Sequence, residues 1–184
     1  MAIYCYFSIF NSTHTQWRSV VLYSERRSIM YVPLRRFSSV EELKPVFDHG
    51  GEVIFLPLAH GGTCYANGIL PWRIHIRSWA PRNLGLSDQM KTLVHEVVHL
   101  FHSSGTGYYF DLGETDFFHE KQVIQQTKRL MTRHPNIADD IVRALIVSPH
   151  CTVTFTPESE TFLYNPFRKY YFDLVAELAK QQLP

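Results

Sequence analysis

The residues best suited to chemistry in this chain are two histidines and a glutamate in the stretch His95-Glu96-Val97-Val98-His99. In an α-helix, residues four apart lie one above the other on the same face. His95 and His99 could therefore bind one metal ion together, and Glu96 could reach a water molecule beside that ion. The spacing predicts a metal site on a helix, with Glu96 as its acid–base group.

The helix that must carry this motif is predicted from its apolar residues and its start. Ser87, followed by Asp88, is a suitable N-cap, and at 100° per residue the apolar side chains fill one broad arc. His95, His99 and His102 fall on the opposite side, toward a cleft or solvent. A histidine kept only for packing would lie inside the apolar arc, so this placement favours metal binding. We expect His102 to lie behind the ligands or to face solvent, with a role as third ligand as the lesser alternative. The arc consists of Met90, Leu93, Val94, Val97, Val98, Leu100 and Phe101.

A third ligand is needed, because a catalytic zinc site usually has three protein ligands and one open position. The next predicted helix runs from about Glu114 or Thr115 to Arg133, and Glu120 lies at the centre of its apolar face. That face is predicted to consist of Phe117, Val123, Ile124, Thr127, Leu130 and Met131. A carboxylate there is costly unless it is paired or bound to a metal, so Glu120 is the predicted third ligand. Simple pairing with an Arg or Lys is the structural alternative for Glu120. Other candidate ligands are Glu114, Asp116 and His119, and Asp111 could orient a ligand imidazole.

The remaining elements predict an α+β fold in a single domain over residues 1–184. Strands are expected at residues 3–10, 19–23, 28–32 and 52–56, and a short helix at 38–47 ends before Gly50-Gly51. We expect a loop at Gly61-Gly62 and a turn at Asn67-Gly68. Residues 72–79 alternate apolar with charged side chains, which predicts a half-exposed edge strand that could align an extended substrate. A helix at 137–147 capped by Asn136, a strand at 151–155 and a helix at 166–180 complete the chain.

Composition excludes several classes of protein. The net charge is +1, so we expect no direct nucleic-acid binding, and no apolar run approaches the length of a membrane span. The three cysteines, Cys5, Cys64 and Cys151, are too few and too scattered for a disulfide framework. Residues 1–10 lack the basic region and cleavage site of a signal peptide. The expected location is the cytoplasm, or outside the cell through a route that needs no signal peptide.

With His95, Glu96 and His99 on one helix and Glu120 on the next, the chain resembles the zincin metallopeptidases, in particular the gluzincin type. The likeness covers roughly residues 70–133, and twenty residues separate His99 from Glu120. The longer motif of the metzincins is absent, because Phe101-His102-Ser103 follows His99. The resemblance implies a small zincin-like domain with a mixed or antiparallel N-terminal sheet, an active-site helix, a glutamate helix and C-terminal helices.

The same resemblance implies a function. Zn²⁺ would be bound by His95, His99 and Glu120, and Glu96 would be the general base that activates water for hydrolysis of a protein or peptide substrate. We expect an endopeptidase rather than an exopeptidase. A tyrosine or histidine across the cleft should stabilise the oxyanion, and the candidates are Tyr108, Tyr109, His119, His134, His150 and Tyr164.

Three other interpretations fit the same residues. The chain could be a catalytically silent metal-binding module with a zincin fold, such as an inhibitor, an immunity protein or a regulator. It could be a DNA-associated regulator whose protease-like domain acts on one protein partner. The motif could also be accidental in a structural α+β domain. Neither the substrate nor the oligomeric state is indicated by the sequence.

Overall fold

A computed structural model describes residues 34–58, 60–66, 71–78, 85–106, 114–156 and 165–181, with the backbone alone at 104–106 and 114–118. All of these residues belong to one compact unit, Leu34–Pro184. The strands predicted at 3–10, 19–23 and 28–32 lie outside the described residues. A single domain over residues 1–184 therefore stays a prediction.

The described part of the chain contains one four-stranded sheet and five α-helices, which confirms the predicted α+β class. Within these ranges, no helix is both long enough and apolar enough to span a membrane. The strands are β1 (Gly51–Leu56), β2 (Gly62–Tyr65), β3 (Trp72–Arg77) and β4 (Cys151–Phe155). The helices are α1 (Lys44–Asp48), α2 (Leu86–Thr106), α3 (Glu114–Arg133), α4 (Ile137–Val147) and α5 (Pro166–Gln181).

The short helix predicted at 38–47 is divided at its proline. A 3₁₀ turn, Val40–Leu43, leads into α1, and Pro45 lies in the first turn of α1, where its missing N–H costs nothing. Gly50 follows the helix with a φ of +89°, a conformation that a side chain would disfavour. The predicted stop at Gly50 is thereby confirmed.

The sheet is mixed, with the order β2-β3-β1-β4. Strands β3 and β4 run parallel to β1, whereas β2 runs antiparallel to β3. Strand β3 therefore has a neighbour on both sides, and the prediction that it is the edge strand is wrong. The alternation in β3 was interpreted correctly, because Trp72, Ile74 and Ile76 are buried and Arg73 is exposed. Alternation shows that one face of a strand is buried, but it does not show whether the strand has two neighbours.

The edge of the described sheet next to α2 is instead formed by β2. The loop predicted at Gly61-Gly62 gives way to this strand, in which Gly62 pairs with Ile76 and Tyr65 pairs with Arg73. The edge of the described sheet is thus formed by a strand that the sequence did not predict, one element earlier in the chain than expected.

Helix α2 packs across the sheet and supplies the centre of the core. All seven residues of its predicted apolar arc are buried, in the same hydrophobic core as the sheet residues Val53, Phe55 and Ile74. The helix begins at Leu86, so Ser87 lies in the first turn rather than at the N-cap. The carboxylate of Asp88 caps the helix instead, by accepting a hydrogen bond of 3.2 Å from the Gly85 N–H.

The start of α2 is held by a buried amide. The side-chain nitrogen of Gln89 donates to Asn165 Oδ1 at 2.9 Å, and Gln89 Oε1 accepts from the Phe167 N–H at 3.0 Å. Breaking such buried hydrogen bonds costs about 1–3 kcal/mol per unsatisfied group. Gln89 therefore fixes α2 against the start of α5, and with it the face on which the histidines lie.

Helix α3 packs on α2 through a face that differs from the predicted one. Val123, Thr127 and Leu130 are buried as expected, but Ile124 is 52% exposed and the polar Gln126 is buried in its place. The amide of Gln126 is satisfied because it donates to the Phe37 carbonyl at 3.2 Å. The buried face of α3 is therefore turned about the helix axis relative to the predicted face. As a result, Glu120 lies at the rim of the buried face and not at its centre, and 41% of its side chain is exposed.

Candidate metal centre

Two imidazoles of α2 and one carboxylate of α3 converge at a single point. The Nε2 atom of His95 lies 3.0 Å from Glu120 Oε1, and the Nε2 atom of His99 lies 3.0 Å from Glu120 Oε2. The two Nε2 atoms are 3.2 Å apart. Among the residues that the structure describes, this is the one group of three metal-ligating side chains.

The geometry and the donor set fit zinc. Zinc binds imidazole nitrogen and carboxylate oxygen at about 2.0–2.2 Å in tetrahedral sites, which places neighbouring ligand atoms about 3.3 Å apart. The two Nε2 atoms are 3.2 Å apart, and each lies 3.0 Å from one of the two Glu120 oxygens, which is within a few tenths of an ångström of that value. Two histidines and a glutamate also form a ligand set found in catalytic zinc sites, where the fourth position is left for water.

The three side chains are partly open to solvent. The side chains of His95 and His99 are each 19% exposed, and Glu120 is more exposed than either histidine. A site buried on all sides would suit a structural ion, whereas a catalytic site must admit water and substrate. The exposure of this group meets the second requirement.

Electrostatic coupling keeps the carboxylate of this group ionised. Hydrogen bonds from His95 and His99 hold the pKa of Glu120 far below its ordinary value. Burial alone would lower the pKa of His95, but its hydrogen bond and charge interaction with Glu120 outweigh burial and raise the pKa. Glu120 is thus an anion at neutral pH, as a metal ligand must be.

Glu96 follows His95 in the chain but points toward the sheet. It is only 4% exposed, and burial raises the pKa of Glu96 from its ordinary 4.5 to about 6, against the opposing influence of His99 and His95. General bases work best when their pKa lies near the working pH. The environment of Glu96 therefore suits proton transfer near neutral pH.

This burial should be measurable as a cost to stability, so we expect Glu96→Gln to stabilise the metal-free protein at pH 7.5. The pKa of Glu96 is raised from 4.5 to about 6, so the native state binds this proton more tightly than the unfolded chain does. Stability then falls as the pH rises through that window. Across this window, ionisation of Glu96 lowers the free energy of unfolding by about 2 kcal/mol. The neutral amide of the variant does not ionise and so avoids this loss.

Urea unfolding in the presence of a chelator, at pH 5 and pH 7.5, checks this expectation. The gain from Glu96→Gln should be clearly larger at pH 7.5 than at pH 5. Glu177→Gln is the matched control, because Glu177 forms an exposed ion pair with Arg143 at 3.2 Å. Equal effects of Glu96→Gln at the two pH values would contradict the burial of a charged Glu96.

Two further histidines pack behind the ligands. The ring of His119 lies 5.2 Å from that of His99 and 4.7 Å from that of His102, measured between centroids. Burial, together with His99 and His102, lowers the pKa of His119 to about 4, so this ring is neutral at pH 7. Its contact with His99 restricts the orientation of that imidazole. His119 itself is not in the group of ligands.

His102 differs from one expectation. It is fully buried rather than facing solvent, and its Nδ1 accepts a hydrogen bond of 2.9 Å from the backbone N–H of Arg35. The positions of side chains around the axis of α2 do not predict this burial, because other parts of the chain, α3 and the segment at Arg35, cover that side of the helix. The alternative expectation, a place behind the ligands, agrees with the contact between His102 and His119.

The other candidates separate into two sets. His134 is exposed on the surface. His150 precedes β4 at the amino end of β1 and β4, whereas Gly62 and Glu96 lie toward the other end of the sheet. Neither histidine joins the ligand group. The remaining candidates lie outside the described side chains: Tyr108, Tyr109, Asp111, Glu114, Asp116 and Tyr164.

Sequence reasoning missed the contact between β2 and Glu96. A Cβ atom built on Gly62 would lie only 2.7 Å from Glu96 Oε1, so the strand backbone passes directly beside this carboxylate. The signal was present in Thr63-Cys64-Tyr65, which is rich in strand-forming residues and lies between Gly61-Gly62 and Asn67-Gly68.

No protein-family model, curated protein or solved structure significantly matches this chain. The likeness to zincins therefore consists of His95, Glu96, His99 and Glu120 alone, and the support for a function comes from the geometry of these residues.

Proposed function

We propose that this protein is a zinc-dependent metallopeptidase in which His95, His99 and Glu120 bind the ion and Glu96 is the general base. The observation that carries the proposal is that Glu120, from a separate helix, lies 3.0 Å from both histidine Nε2 atoms. A motif that arose by chance would account for the spacing of the two histidines. It would not account for a carboxylate delivered to both of them by another element.

The residues around the site have distinct roles in the proposed reaction. When bound, zinc would acidify water and polarise the carbonyl of the scissile bond. Glu96 would accept a proton from that water and deliver it to the leaving amine, and its pKa of about 6 suits both transfers. Glu120 would balance the charge of the ion, and His119 would hold the His99 ring in place.

The proposed substrate is an extended segment of a protein or peptide. Within the described sheet, β2 pairs with β3 alone, so its other edge can bind an extended chain through backbone hydrogen bonds. Such binding grips the main chain on both sides of a cleaved bond, which supports an endopeptidase. The cytoplasm, or export by a route that needs no signal peptide, is the location we propose, because three widely spaced cysteines suit a reducing compartment.

Metal content and peptide hydrolysis test the function together. The protein is dialysed with zinc, analysed by mass spectrometry for metal, and assayed at pH 7.5 on a quenched-fluorescence peptide library with and without 1,10-phenanthroline. We expect one zinc ion per chain and hydrolysis that the chelator abolishes. If no zinc binds and His95→Ala changes nothing, the proposal is wrong. Zinc binding without hydrolysis of any peptide would favour the catalytically silent module.

A further inference from the structure

The backbone of β2 passes close to α2 at Gly62. A Cβ atom placed there would lie 2.7 Å from Glu96 Oε1, 2.8 Å from Thr92 Cγ2 and 3.0 Å from Glu96 Cγ. Ordinary contacts of carbon with its neighbours are about 3.5–4.0 Å. Any side chain at position 62 would therefore compete with Glu96 for the same space.

Neighbouring positions of β2 show that this restriction is local. Side chains alternate between the two faces of a strand, and Gly62 pairs with the buried Ile76, as Cys64 pairs with the buried Ile74. Positions 62 and 64 thus face the same side, and position 64 accommodates a side chain. Thr63 faces the other side, where its hydroxyl lies 2.6 Å from His60 Nε2.

Thr92 cannot easily make room for a side chain at Gly62. It lies one turn before Glu96 on α2, and its hydroxyl donates to the Asp88 carbonyl at 2.9 Å, which holds its methyl group toward the strand. A methyl group at position 62 would therefore displace Glu96, because its carboxylate is the movable end of a longer side chain.

We propose that Gly62 is a positioning residue for Glu96, because the bare backbone of β2 forms the wall that holds this carboxylate in its buried position beside His95 and His99. The inference rests on the proposed function, since it concerns the general base of that reaction. Gly62 itself would neither bind the metal nor transfer a proton, and it acts only through the position of Glu96.

Gly61 provides a matched control in the adjacent position. A Cβ atom there would lie 3.6 Å from Thr92 Oγ1 and 3.8 Å from Thr92 Cγ2, which are ordinary contacts. Among the described glycines, positive φ is found at Gly50 and not at Gly61 or Gly62. Alanine is therefore compatible with the backbone at both positions, and the two substitutions differ in the space around the new methyl group.

The test uses Co²⁺ in place of zinc and acetohydroxamic acid as a probe. The visible bands of bound Co²⁺ report metal binding, and their change on titration reports binding of the hydroxamate. A hydroxamate bound to the ion gives its hydroxyl proton to a nearby carboxylate, so its affinity depends on where Glu96 lies. We expect Gly62→Ala to keep the Co²⁺ bands of the wild type but to bind acetohydroxamate about tenfold more weakly or worse, the equivalent of one lost charge-assisted hydrogen bond.

Two control variants show whether an effect of Gly62→Ala on probe binding comes from the position of Glu96. Glu96→Gln should weaken the probe as Gly62→Ala does, and Gly61→Ala should match the wild type in both titrations. If Gly62→Ala does not fold, the double variant with Thr92→Ser removes the Cγ2 atom at 2.8 Å and is measured instead. We expect that double variant to bind Co²⁺ normally and the probe weakly, because the overlap with Glu96 persists.

The outcomes separate the two proposals. A wild-type protein that binds neither Co²⁺ nor zinc would overturn the proposed function. A wild-type protein that binds metal and probe, with Gly62→Ala binding both equally well, would overturn the role of Gly62 alone. Equal weakening by Gly61→Ala and Gly62→Ala would also overturn it, because the effect would then belong to the whole segment.

Discussion

Glu96→Gln is expected to remove nearly all hydrolysis while leaving zinc bound. A general base typically contributes 10²–10⁴-fold to the rate, so we expect kcat to fall by at least about 100-fold. The amide has the shape of the carboxylate but cannot accept the proton of water. Because Glu96 is only 4% exposed, the amide should occupy the same position, and binding of zinc and substrate should change little.

Steady-state kinetics on a cleaved library peptide, together with the metal content of the same sample, measure this effect. The loss should appear in kcat, with KM nearly unchanged, because Glu96 is not expected to bind the substrate. Glu177→Gln, which removes one carboxylate from the exposed pair with Arg143, should behave as the wild type. Full activity of Glu96→Gln with zinc bound would show that another residue is the base.

Glu120→Gln is expected to lower zinc affinity by more than about 100-fold, because removal of groups that only support a ligand already costs about 10–100-fold. The carboxylate lies 3.0 Å from both ligand imidazoles, and a neutral amide there is a weak ligand for zinc. Binding of metal to the native state also stabilises the fold. The rise in melting temperature that zinc produces in the wild type should therefore be largely lost in Glu120→Gln.

Competition with a chromophoric chelator measures the affinity, and thermal unfolding with and without zinc measures the stabilisation. An alternative explanation is that Glu120 only forms ion pairs with protonated His95 and His99. In that case Glu120→Gln would destabilise the metal-free protein near pH 6 and leave zinc affinity intact.

The two explanations also differ in their pH dependence. The raised pKa of His95 means that its pairing with Glu120 weakens as the pH rises through that pKa. Zinc binding strengthens over the same range, since the metal needs neutral imidazole.

Local sequence patterns were sufficient to place the helix α2 and to predict that His95, His99 and Glu120 lie close together. The 3.6-residue period identified every buried apolar residue of α2, and it put His95 and His99 together because both lie within one continuous helix. It also selected Glu120 among several acidic residues of the next helix. The reason was energetic, since a carboxylate on an apolar face requires a partner, and His95 and His99 are the partners found in the structure.

Periodicity was less informative where an element meets residues that are distant in the chain. Residues 72–77 were interpreted as an edge strand although β3 pairs on both sides, and Gly61-Gly62 were interpreted as a loop although Gly62 begins β2. The expected burial of Ile124 was wrong because the polar Gln126 found a partner in the Phe37 carbonyl. Each of these outcomes depends on which segment packs alongside, and no local pattern contains that information.

The sequence by itself thus determined the grouping of His95, His99 and Glu120, because helical spacing and the cost of a buried charge are local properties. The surroundings that tune this chemistry came from the packing of separate elements. Glu96 owes its raised pKa to burial under β2, and His119 owes its lowered pKa first to burial and then to the nearby rings of His99 and His102. Burial and proximity across the chain arise only when the sheet, α2 and α3 assemble.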